Sequence, residues 1–264
     1  MFVLCLATAL ALVGCAAETA REPLPTYRLM SPEESIQIIA ARQAEIKTVS
    51  ARCEVELTDA DGQQVNLDGA LLAMPQTTTG PRVRLRAWKL GHAVFDLTVV
   101  DGKAWIVAPD DPRLGEPARK SSPSESETGD ARRTPAQPAR RIAEAIDFIG
   151  PDFFKASSVV RESAVSITAE GAAARLDKTL CEIDRTTLTP RLISAAPRIG
   201  ERTAMNSSEC ELGDYGLVNK LPWAHRLRLR SPAGTVEVRM SEVEINGELD
   251  ASVFVPPARA KQLP

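Results

Sequence analysis

The spacing of apolar residues changes several times along the chain. Residues 2–14, FVLCLATALALVG, carry no charge, and the first charged side chain after them is Glu18. Residues 16–30 are polar, with prolines at 23 and 25. Ser31-Pro32-Glu33-Glu34 then predicts a helix start: Ser31 as N-cap, Pro32 at the first helical position and Glu34 closing a capping box. Ile36, Ile39, Gln43 and Ile46 follow at spacings of three and four, so one face is mainly apolar and the helix runs to about Lys47.

From Val49 the period becomes two. Val49, Ala51, Cys53, Val55 and Leu57 alternate with polar residues, and Asp61-Gly62 signals a hairpin. Val65, Leu67, Gly69, Leu71 and Ala73 return along one side. Val83, Leu85 and Ala87 oppose Arg82, Arg84 and Arg86, and Trp88 falls with the arginines. Leu90-Gly91 and Asp101-Gly102 separate two further strands, the first with Phe95, Leu97 and Val99 on one face, the second containing Trp105. Apolar on one side and charged on the other, these hairpins predict an antiparallel sheet with one wet face.

Residues 109–138 hold six prolines and almost no large apolar side chain, which predicts a disordered insertion loop. A second helix is expected from about Ala139 to Ile149, with Ile142, Ala145, Ile146 and Ile149 as its stripe. Six more strands are expected at 157–169, 174–184, 190–197, 203–213, 225–231 and 235–246. The fold class is therefore mainly β: about eleven antiparallel strands and two helices, with 31–260 as one domain.

Composition narrows the function. Net charge is −3, with no clustered excess of Lys and Arg, which argues against a nucleic-acid partner. The two histidines, His92 and His225, belong to no HExxH or other catalytic pattern, and no phosphate-cradling glycine motif occurs, so neither enzyme nor cofactor is expected. Cys181 and Cys210 fall on strands separated by a third, about 9–10 Å apart, beyond the ~7 Å reach of a disulfide. Free thiols are expected there. Cys53 reads as a small buried hydrophobe.

The uncharged run at 2–14 spans only about 20 Å as a helix, short of a ~30 Å bilayer core, but suits a signal peptide. Leu12-Val13-Gly14-Cys15 at its end resembles the lipobox of bacterial lipoproteins, although no Lys or Arg precedes the run. That resemblance implies cleavage after residue 14, a diacylglyceryl anchor on Cys15 and a tether over 15–30. An ordinary secretory signal with an incidental Cys15 and an uncleaved anchor are the alternatives. Ala16 after the cysteine favours the outer membrane under the familiar sorting rule.

The whole order also resembles a family. Ile46-Lys47-Thr48-Val49-Ser50-Ala51 entering the first strand, Asp101-Gly102-Lys103-Ala104-Trp105, and the closing Asn246…Leu249-Asp250…Phe254…Pro257 carry a likeness to the LolA/LolB-like lipoprotein-localisation family. The likeness implies a half-barrel, helices plugging its open side, and acyl chains, lipids or lipoprotein cargo held on the concave face. It implies Phe95, Leu97, Val99 and Trp105, with Ile142, Ile146 and Ile149 of a lid, as an acyl lining; for each of them plain core is the alternative. The early loop 74–81, which offers only Met74, departs from the protruding apolar loop of the family's membrane receptors. The expected protein is a monomer anchored by Cys15, facing the periplasm. Its alternative is a partner-binding envelope lipoprotein that uses the same scaffold, with loops or the arginine face as its surface.

Overall fold

A computed structural model describes residues 22–75, 77, 79–107, 154, 157–173, 176–195, 209–231 and 234–262. One α-helix is described in full, α1 (Pro32–Glu45). The strands of the first half are β1 (Val49–Asp59), β2 (Gln64–Met74), β3 (Arg82–Lys89), β4 (His92–Val100) and β5 (Lys103–Val107). The second half adds β6 (Ser158–Glu162), β7 (Ser166–Ala173), β8 (Leu176–Asp184), β9 (Thr189–Ala195), β10 (Glu209–Val218), β11 (Leu221–Ser231) and β12 (Gly234–Ile245). A short 3-10 helix, η1 (Ala251–Phe254), and β13 (Lys261–Gln262) close the chain. Cys15, the signal segment, residues 109–138 and the helix expected at 139–149 lie outside the described residues.

All thirteen strands join one open antiparallel sheet in the order β13-β5-β4-β3-β2-β1-β12-β11-β10-β9-β8-β7-β6. The first meander therefore meets the second through β1 and β12, where Val55 faces Val238 and Cys53 faces Met240. Register carries the apolar residues onto one face across the whole sheet. Leu67, Val55, Val238 and Leu227 form one cross-strand row; Leu229, Cys210, Ile193, Cys181 and Ala169 form another. These residues are all buried in a single core, the inner face.

The sheet has two strands more than the alternation predicts. The stretch 157–169 divides at Ser163, whose Oγ accepts the Ser166 N–H at 2.9 Å and turns the chain between β6 and β7. A serine turn lacks the Gly, Pro or Asn punctuation that the pattern relies on. The other addition is β13, which pairs with β5. Strands β10 and β11 also meet closer than expected, through Asn219 and Lys220, both left-handed at φ 51° and 66°. Pro222, opposite Leu217, hides that strand start from the pattern.

α1 begins as predicted: Ser31 Oγ accepts from Glu34 N at 3.2 Å, and Glu34 Oε2 accepts from Ser31 N at 3.1 Å. Asn246 brackets its far end. Its Oδ1 accepts from Lys47 N at 2.7 Å and its Nδ2 donates to the Glu45 carbonyl at 3.0 Å. The chain then crosses the outer face. Phe254 is 1 % exposed yet outside the inner core, because η1 packs on β3 and β4. Beneath it Arg84 Nε and Nη2 donate to both oxygens of Asp96 at 2.8 and 2.6 Å, and Nη1 donates to the Val253 carbonyl at 2.6 Å. That hydrogen bond to Asp96 raises the guanidinium pKa further.

The outer face balances its charges strand to strand. Glu237, 2 % exposed, lies 3.0 Å from Arg228 Nε and 2.6 Å from Arg239 Nη2; Arg230 reaches Glu211 at 2.8 Å. Arg86 shares Asp96 with Arg84. Cys181 and Cys210 flank Ile193 in register, two strands apart, and both are free, as is Cys53.

Candidate functional site

The capping box and Asn246 fix both ends of α1, and its apolar stripe sets Ile39 and Ile46 inward. The helix does not seal the sheet below it. Between α1 and strands β9–β11 lies a mainly apolar cavity with Ile39, Ile46, Ile193, Leu212, Leu221 and Leu227 on its walls. Leu188, Pro190, Tyr215, Pro222 and Trp223 complete that side, and Pro75 and Phe154 close another. Unfilled space counted out to the open mouth is ≈ 790 Å³, while the part a water-sized sphere can occupy is ≈ 70 Å³. As it stands the cavity admits several waters.

Its polar groups are few. Tyr215 donates its hydroxyl to the Pro190 carbonyl at 2.7 Å, and burial raises its pKa. Arg42 donates from Nη1 to the Leu188 carbonyl at 3.3 Å and lies 4.6 Å over the Tyr27 ring. Among the described residues no Asp or Glu lines the cavity. Among the described residues no group of His, Cys, Asp and Glu could hold a metal ion. His92 is exposed at the start of β4, and His225 sits within β11 with Nδ1 3.2 Å from the Met240 carbonyl.

Phe95, Leu97 and Val99 point into the core from β4, opposite Ala87, Leu85 and Val83. They lie in the other half of the sheet and do not line this cavity. Trp105 takes the outer face: it pairs with Thr98, while its neighbours Ala104 and Ile106 are buried inward. Trp88 also lies outward, opposite Asp68 after a bulge. Ile142, Ile146 and Ile149 lie outside the described residues. The helix stripe of Ile39 and Ile46 was readable as an inward face, but Arg42 and Trp223 were not. Arg42 interrupts the stripe, and Trp223 follows the Pro222 that disguises β11.

No protein-family model and no curated protein matches the chain. Solved structures do, by fold. The chain is similar to a domain named for outer membrane lipoprotein sorting from Vibrio parahaemolyticus, at TM-score 0.54 and 13% identity over 84% of this chain and 95% of that one. It is similar also to a LolA superfamily protein from Nitrosomonas europaea, at TM-score 0.53 and 11% identity over 83% and 97% of the two chains. A DUF1329 family protein from Desulfovibrio piger matches at TM-score 0.51 and 8% identity over 86% and 98%. The chain thus has the open antiparallel fold of LolA-like lipoprotein-sorting proteins.

Proposed function

We propose that this is an exported, lipid-anchored lipoprotein that holds an acyl chain, or the acyl part of a lipidated protein, by apolar burial. The open sheet forms a half-barrel, the cavity beneath α1 is where the chain enters, and Cys15 carries the anchor that ties the protein to the outer membrane facing the periplasm. The observation that carries the reading is the open apolar cavity between α1 and β9–β11, with no carboxylate among its described lining residues. Each methylene moved from water onto those walls contributes about 0.8 kcal/mol. No covalent step is needed. Phe95, Leu97 and Val99 continue the same apolar face and would receive the far end of a long chain. Lipoprotein or lipid transport is the role this supports, as a monomer, with no nucleic acid and no cofactor.

The shared fold of lipoprotein-sorting neighbours supports the reading, and the outer face supports it from the other side. Arg84 is tied to Asp96, which takes one member of the arginine row from any acidic partner. Native mass spectrometry of the chain purified from its envelope tests the proposal. A stoichiometric adduct released as lipid on denaturation is expected. Clean protein that also ignores added fatty acids and lipopeptides would overturn it in favour of a partner-binding scaffold.

A further inference from the structure

Two buried donors in the cavity beneath α1 have no acceptor among the described residues. Trp223 is 6 % exposed and lines the cavity, yet its indole Nε1–H meets no hydrogen-bond partner. Arg42 Nη2 is buried without an acceptor as well, although Nη1 of the same guanidinium reaches the Leu188 carbonyl. Buried donors are nearly always satisfied, by the protein itself, by ordered water or by a ligand. Elsewhere, Arg228 and Glu237 answer each other's charge across the outer face at 3.0 Å, and Arg82, Thr98 and Thr179 stand on separate strands, while Gln43, on the same lining as Arg42, has a contact of its own. Beneath α1 the two donors share one lining, and among the described residues no carboxylate on it balances Arg42.

Resting on the acyl-chain reading of this cavity, we infer that its ligand is an anionic amphiphile whose head oxygens accept from Arg42 and Trp223. Arg42 is half-buried and Ile39 and Ile193 are buried, which sets the head toward the mouth and the chain inward. A planar guanidinium suits carboxylate or phosphate oxygens, which both accept strongly. An alcohol fills the same walls, but its single neutral hydroxyl accepts more weakly and leaves the guanidinium charge unanswered. Head-group charge, and not chain length alone, selects the ligand.

The test uses the full chain carrying Cys15→Ser, so that no anchor is attached. It is titrated with hexadecanoate (palmitate), with hexadecan-1-ol and with a palmitoyl phosphatidate. Both anionic ligands should bind at least about tenfold more tightly than the alcohol. Arg42→Met should erase that margin, Arg42→Lys should keep part of it, and Trp223→Phe should reduce it. Alcohol affinity should fall far less than anion affinity in all three, and its retention shows that the cavity is intact. The tighter of the two anions then tells a free fatty acid from a phospholipid head. Equal binding of acid and alcohol would overturn the head-group inference and leave the acyl reading standing. No binding of any chain would overturn both.

Discussion

Arg84 and Arg42 are both tucked between the sheet and a segment laid across it, and the chain treats them differently. On the outer face Arg84 has both oxygens of Asp96 and the Val253 carbonyl, so the C-terminal segment is locked over β3 and β4. On the inner side Arg42 has one long hydrogen bond, an aromatic face and an orphan nitrogen beside an open cavity. A satisfied buried charge serves the fold. One left short of acceptors contributes less to the fold, and the anionic ligand inferred above would complete its set.

Removing the acceptors should separate the two sites. Asp96→Ala strands Arg84 beneath η1 and should cost about 3 kcal/mol in urea unfolding, because breaking a buried pair leaves a charge unanswered. Replacing both partners by Arg84→Met with Asp96→Leu should recover most of that loss. Asn246→Ala removes both brackets at the end of α1 and should cost about 1 kcal/mol, with faster amide exchange in that helix. Arg42→Met should lie within about 0.5 kcal/mol of the parent, or above it, since it removes an orphan donor. A loss as large as that of Asp96→Ala would make Arg42 structural and collapse the contrast.

The thiols give a smaller, pH-dependent check on the inner core. Burial pushes Cys53 and Cys210 up to about 12 and raises Cys181 too, with Glu182 adding to the effect. An unfolded thiol ionises near 8.5, so above that pH the folded state holds protons that the unfolded state releases. Stability should therefore fall as pH rises from about 8.5 toward 12, and the decline should weaken in a Cys53→Ala, Cys181→Ala, Cys210→Ala variant. At neutral pH iodoacetamide should label none of the three until the chain unfolds.

Much of the sheet was legible because alternation is a local property. The row from Val49 to Leu57 and the Leu90-Gly91 and Asp101-Gly102 turns needed only period two and residues suited to φ > 0. The Ser163 turn was not legible, since a serine hydroxyl can turn a chain without changing its apolar pattern. The site was less legible still. Trp105 lies in a strand whose facing is set by register with β4, and the closing segment that covers the outer face comes from far along the chain. Arg42 and Trp223 are 181 residues apart in sequence. Only the order of the sheet brings β11 under α1, and no motif records that meeting.

The most direct measurement is photo-crosslinking with a palmitate analogue carrying a diazirine on its chain, followed by peptide mapping of the labelled protein. Label concentrated in α1 and in β9–β11, and displaced by unlabelled palmitate, is the result expected of a chain held in the cavity. Label confined to the outer face, or undiminished by competitor, would contradict it.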